Sequence, residues 1–145
     1  MRSEIFVVGV VEIVAIESHN NAAFLELVHI KDMDYWVICR KGEWKVGDLG
    51  VYFPIDSVLP KELDNYLFPP ETSKITLDKG RIRAIRLRGL VSQGLLVPLN
   101  DIVLFLQTLK GVFTPWYQVG TDLSQMLGVT HYEPPHRGMG FNSGL

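Results

Sequence analysis

Cysteine is almost absent: Cys39 stands alone in an apolar run. A single thiol excludes a disulfide framework and a zinc site built on cysteines, and it fits a reducing, cytoplasmic compartment. An excess of charge of one sign is also lacking. The formal net charge is -2 over 145 residues, which argues against a protein that coats nucleic acid over its whole surface. Any nucleic-acid site must then be a local patch. No apolar run is long enough to span a bilayer. The opening run from Ile5 to Val11 is preceded by Glu4 and stopped by Glu12, and no small-residue cleavage pattern accompanies it, so neither a membrane span nor a signal peptide is expected. Internal repeats and low-complexity blocks are missing as well. One domain is the default at this length, and the 47% apolar content is ample for a core.

Catalytic constellations are absent too. His131 and His136 are separated by Tyr-Glu-Pro-Pro, which cannot place two ligands on one helical face, and no further ligand spacing accompanies them. His29 alternates with apolar neighbours and reads as a satisfied barrel residue. Ser92 lies in Gly-Leu-Val-Ser-Gln-Gly, which lacks the Gly-x-Ser-x-Gly spacing of a nucleophile elbow. The glycines from Gly138 to Gly144 lack the Lys-Ser/Thr end of a phosphate-binding loop and a preceding strand.

What is present is a basic stretch. Between Lys79 and Leu99 stand Lys79, Arg81, Arg83, Arg86 and Arg88, with no acid among them. The flanking Ile-Arg-Ala-Ile-Arg-Leu and Leu-Leu-Val-Pro-Leu read as strands joined through Arg88-Gly89 and Gln93-Gly94. Arg81 and Arg83 are out of phase with Arg86 and Arg88, so a regular strand sends the pairs to opposite faces. A bulge near Ala84 or Ile85 would bring all four together as a basic stripe suited to phosphates. Ser92 and Gln93, within the same stretch, complete that candidate set. The alternative is a solvated strand face, or a structural pairing of Arg86 with Glu26 or Asp56. A second candidate is the loop that carries Trp44 between Lys41 and Lys45, an aromatic flanked by cations on which a base could stack. Trp36 is expected in the core.

Taken in order, the chain predicts strands over Ile5–Glu17, Ala23–Ile30, Tyr35–Arg40 and Leu49–Ile55, followed by the basic hairpin. The first strand is apolar on both parities and is expected to be covered on both faces and bent at Gly9. A short helix is predicted over Pro60–Tyr66, then an exposed, mobile connection over Glu71–Asp78. These strands indicate a mainly β fold, a five-stranded barrel of the OB type with a short C-terminal helical appendage. Asn100 is expected to cap a helix whose stripe is Ile102, Val103, Leu106 and Leu109. Thr121 is expected to cap a second helix ended by Gly128. The expected boundaries are a barrel over 1–99, an appendage over 100–130 and a linker or tail over 131–145.

Several ordered blocks carry a resemblance. They are His19-Asn20-Asn21-Ala22-Ala23-Phe24-Leu25-Glu26-Leu27, Lys41-Gly42-Glu43, Gly47-Asp48 and the run from Val51 to Pro60. The run from Ile85 to Leu96, Gly120-Thr121-Asp122-Leu123 and the run from Gly128 to Pro135 follow. Together they resemble the N-terminal OB module of the Deinococcus-type RNA ligases, in which the module precedes an ATP-dependent nucleotidyltransferase domain. His-x-x-Ala-x-x-Leu-Glu followed by Ser-x-Gly-Leu is also similar to the tRNA-binding OB modules of some tRNA synthetases.

The ligase likeness implies RNA or an RNA/DNA hybrid as partner, with ATP and Mg2+ required only by a full-length ligase. This chain has no Lys-x-Asp-Gly motif, since Lys31-Asp32-Met33-Asp34 has the wrong spacing and no glycine. It ends soon after Pro135, where the catalytic domain would begin. Three readings stay open: the nucleic-acid-binding module of a ligase, a free-standing RNA-binding OB protein, and a protein-interaction module. A homodimer through the appendage is a further expectation.

Overall fold

Apolar residues on both parities need cover on both faces, and the first strand obtains it by serving two partners. The computed structural model describes residues 7–73, 76–87, 90–112 and 117–133, with only the backbone of 85–87. Strand β1 (Gly9–Ser18) pairs antiparallel through residues 9–12 with β4 (Leu49–Phe53) and through residues 13–18 with β2 (Leu25–Ile30). Its register with β2 shifts between Ile13 and Ala15, so the extra residue is Val14, exposed to 43%. A bulge bends a strand and raises its twist. The bend therefore sits at Val14 and not at Gly9. Gly9 has a different use: a Cβ there would lie 3.4 Å from the Thr121 carbonyl oxygen, where the C-terminal segment passes.

Strand β3 (Trp36–Arg40) pairs with β2, and β8 (Leu95–Pro98) pairs with β4. The result is a curled antiparallel sheet of five strands in the order β3-β2-β1-β4-β8. The basic stretch, read as two strands, contains three short ones: β6 (Ile85–Leu87) and β7 (Leu90–Ser92) form a hairpin ahead of β8. That hairpin bridges the seam between the edges, where the Ile38 N–H donates to Ser92 Oγ at 3.0 Å.

Between β4 and the hairpin lie β5 (Ser57–Val58) and α1 (Lys61–Leu67), which starts directly after Pro60 as the fixed proline φ favours. Helix α2 (Leu99–Leu109) follows β8 without a gap, so its N-cap is Pro98 and Asn100 lies inside it. Ile102, Phe105 and Leu106 are buried, whereas Leu104 and Leu109 are 45% and 52% exposed. Leu109 thus leaves the predicted stripe. In α3 (Ser124–Leu127) the capping carboxylate is that of Asp122, not the Thr121 hydroxyl: it accepts from the Ser124 N–H at 3.0 Å and from its Oγ at 2.6 Å. Those bonds hold the Asp122 carboxyl below the ordinary carboxylate range. Gly128 ends α3 in the left-handed conformation at φ 75. The next residues form β9 (Thr130–His131), paired antiparallel with β5. His131 therefore belongs to the fold, although a tail was expected from that residue on.

Two apolar clusters result. Val8, Val10, Val51, Phe53, Leu63 and Val97 meet Ile102, Phe105, Leu106, Leu123 and Leu127 at one end. Ile13, Val28, Ile30, Val37, Cys39, Trp44, Tyr52 and Leu96 fill the other. Among the described residues no helix is long and apolar enough to cross a membrane.

Candidate nucleic-acid interface

The basic stretch begins with a tight turn. Arg81 N–H donates to the Asp78 carbonyl at 3.1 Å, and Lys79 and Gly80 between them have φ of 55 and 79. Positive φ at both central residues marks a type I′ turn. A Cβ on Gly80 would lie 2.5 Å from the Leu59 carbonyl oxygen, so the turn is pressed flat against the chain and Lys79 projects into solvent. Ile82 runs on beside β5, giving 2.7 and 2.8 Å bonds with Asp56 and Ser57. Val58, Asp78, Lys79, Arg81, Arg83 and Tyr132 line a pocket of about 250 Å³ there.

Arg81 is committed to the fold. Its Nε and Nη2 both donate to Asp56 Oδ1, at 2.9 and 2.8 Å, and its Cζ lies 3.7 Å from the centre of the Tyr132 ring. Asp56 holds Arg81 from a left-handed backbone at φ 74 that aspartate tolerates, whereas the expected pairing of Arg86 with Glu26 or Asp56 falls on a side chain outside the described residues. Arg81→Gln should therefore lower stability by about 1–2 kcal/mol, the sum of a charge-assisted bond and a cation–π contact. Thermal unfolding measures that loss, and the salt dependence of nucleic-acid binding should stay unchanged. Lys79 and Arg83 are exposed, and neither forms an ion pair among the described residues. They are the cations left to a ligand, with Asp78 as the one acid lining the pocket.

The other candidates separate. Lys41 and Lys45 are exposed, but Trp44 between them is only 4% exposed. Gly50 makes the room, since a Cβ there would lie 2.7 Å from Trp44 Cη2. Trp44 is a core residue and offers no free face to a base, which corrects the expected platform. Trp36 is half-buried, edge-on to His29 with ring centres 5.8 Å apart, and His29 Nε2 lies 2.7 Å from Glu17 Oε2. Ser92 is 6% exposed and holds the seam at Ile38. The Gln93 carbonyl accepts from the Tyr52 hydroxyl. Both bonds help to hold the seam together. The backbone of Arg86 pairs with Val91, but its side chain, like all of Arg88, lies outside the described residues. The proposed bulge dissolves with this: Arg81 and Arg83 precede β6 and do not share a strand with Arg86.

One further aromatic stands exposed among the described residues. The strand expected over Ala23–Ile30 includes Phe24, but β2 starts at Leu25, which leaves Phe24 in the preceding turn at 80% exposure. The signal available was its position two alanines after the His19-Asn20-Asn21 turn cluster. Beside it, Leu25, Val37, Ile38, Arg40, Leu95 and Leu96 line a groove of about 370 Å³ across the seam. Cys39 also lines it, but burial pushes its thiol up to about 12, so it stays protonated and is no nucleophile. Lys31 and Asp32 lie in the turn between β2 and β3, with Asp32 at φ 67.

The family model of an OB-fold domain matches residues 7–99. Among solved structures, a Naegleria gruberi RNA ligase variant with ATP and Mn is 34% identical over 88% of this chain and 36% of that one, with a TM-score of 0.65. The Naegleria gruberi RNA ligase with PPi is 28% identical over 91% and 37%, also with a TM-score of 0.65. An apo variant of that ligase is 30% identical over 88% and 35%, with a TM-score of 0.62. This chain thus spans little more than a third of the ligases it matches. Among curated proteins there is no match.

Proposed function

Because the chain belongs to the OB-fold domain family, we propose that it is the RNA-binding module of an ATP-dependent RNA ligase, gripping backbone phosphates of RNA or an RNA/DNA hybrid. The observation that carries this reading is the pocket in which Lys79 and Arg83 form no ion pair among the described residues, beside an Arg81 already held by Asp56. Guanidinium and ammonium groups without a carboxylate partner suit phosphate oxygens, and they position a strand without reading its bases. The likeness to the Naegleria gruberi RNA ligase structures supports the choice of ligase over a free-standing binder.

On this reading the chemistry lies in a nucleotidyltransferase domain, where ATP and Mg2+ act, and the module itself seals nothing. Leu104 and Leu109 on α2, with Val119 and Met126, supply exposed apolar side chains on the appendage for that domain or for a second copy of the chain. A cytoplasmic setting belongs to the same reading.

The test compares the whole chain with the Lys79→Gln/Arg83→Gln variant, measuring affinity for single-stranded RNA over a range of salt. Each phosphate contact contributes about -0.7 to the slope of log affinity against log salt. The variant should flatten the slope by about 1.4 and weaken unrelated sequences alike. An unchanged slope would remove the pocket from the interface.

A further inference from the structure

Phe24 is the one exposed aromatic among the described residues, and at 80% it is the most exposed of the large hydrophobic side chains. A single exposed ring is ordinary on a protein surface, so its setting must carry any role. The segment that carries it is firmly held. The His19 N–H donates to the Leu25 carbonyl at 3.3 Å, and the Leu25 N–H to the Ala22 carbonyl at 3.4 Å. His19 is buried at 5% exposure, with Nδ1 accepting from the Asn21 N–H at 3.0 Å. From the other side the Lys41 N–H donates to the Phe24 carbonyl at 2.8 Å, and the Gly42 N–H to Glu26 Oε1 at 3.1 Å. The ring is therefore presented from a turn stitched to the neighbouring loop, and ordering it on binding costs little.

Its surroundings identify an occupant. Arg40 and Lys41 are exposed beside it. The acids nearby, Glu43 and Glu26, accept from the Arg40 N–H at 3.3 Å and the Gly42 N–H at 3.1 Å. Leu25 and Arg40 lead into the groove across the seam. A protein partner needs a contiguous patch of roughly 800 Å², whereas Phe24 is a single ring among Asn20, Asn21 and Lys41. One apolar face flanked by cations is the chemistry that takes a base and its phosphate.

We infer that Phe24 is a stacking platform for one unpaired base of the bound RNA strand, seated at the mouth of the groove beside β3. The inference rests on the RNA-binding reading above.

The test uses the whole chain and two probes: a single-stranded RNA, and an abasic strand of equal length with the same phosphates. Phe24→Ala should weaken RNA binding by roughly 5- to 150-fold, the range for losing one base–aromatic stack, with no change on the abasic strand or in the salt slope. Phe24→Trp should restore affinity and add a tryptophan signal that RNA quenches. If Phe24→Ala binds RNA like the wild type while Lys79→Gln/Arg83→Gln loses affinity, the platform is overturned and the RNA reading stands. Equal losses on both strands would also overturn it, because the ring would then act through the phosphates. If the wild type binds neither probe, both readings fall.

Discussion

Ending the chain after Leu99 should leave no stable barrel, although the OB-fold family match ends at that residue. Ile102, Phe105, Leu106, Leu123, Leu127 and Val129 all belong to one core cluster. The ordering entropy of the appendage disappears with it, so the decisive loss falls on the barrel side. Val8, Val10, Phe53 and Leu63, each at most 1% exposed, would be left partly in water. Full exposure of such side chains costs about 1.5–3 kcal/mol each, against a total stability of roughly 5–15 kcal/mol. The backbone loses partners too. The Val10 N–H donates to the Thr121 carbonyl at 3.0 Å, and the Gly120 and Leu123 N–H groups return to the Val10 and Val8 carbonyls, each at 2.8 Å. Circular dichroism of residues 1–99 should show no cooperative melt, and Phe105→Ala in the whole chain should cost about 3–5 kcal/mol. A truncated chain that unfolds cooperatively near the wild-type temperature would show that the appendage is merely attached.

Gly94→Ala should be the most damaging single exchange at the seam. Gly94 has φ 105, and a Cβ there would lie 2.7 Å from the Phe53 carbonyl oxygen and 2.6 Å from the Tyr52 hydroxyl. Phe53 lies in β4, between β1 and β8 in the sheet, so its carbonyl cannot move aside. Tyr52 is held by Gln93 and by Tyr35, whose hydroxyl lies 3.1 Å from its own. Left-handed strain of about 1–3 kcal/mol and a forced displacement of similar size together give a loss of about 3 kcal/mol or more. For a domain of this size that lowers the melting temperature by roughly 10 °C. Gly120→Ala is the control: φ is 95 and nothing lies within 4 Å, so only the backbone strain applies. Equal losses in the two variants would mean that the close approach at Gly94 carries no cost.

Local signals made part of this fold legible. Pro60 marked the start of α1, Gly128 the end of α3, and apolar residues on both parities announced a first strand shared between two partners. What failed depended on tertiary pairing. Gly9 is the residue expected at a bend, yet the bulge falls at Val14, just after β1 changes partners between Glu12 and Ile13. Trp44 between two lysines read as exposed, because nothing nearby reveals that Gly50 makes room for its indole. Asp56 is expected as a partner of Arg86, and the structure shows it holding Arg81. Arg81 is thereby withdrawn from a stripe that spacing alone cannot subdivide. Phe24 was lost to a strand that begins one residue later than its alternation suggests. Exposure of a single ring is decided by where the turn ends, and that boundary is the least legible feature of any strand.

The most direct measurement is the affinity of the whole chain for single-stranded RNA at several salt concentrations between about 50 and 200 mM. Log affinity should fall linearly with log salt, with a slope of about -1.4 or steeper for at least two phosphate contacts, and with the same slope for unrelated sequences. A flat dependence, or no binding at the lowest salt, would contradict the assignment of this module to RNA.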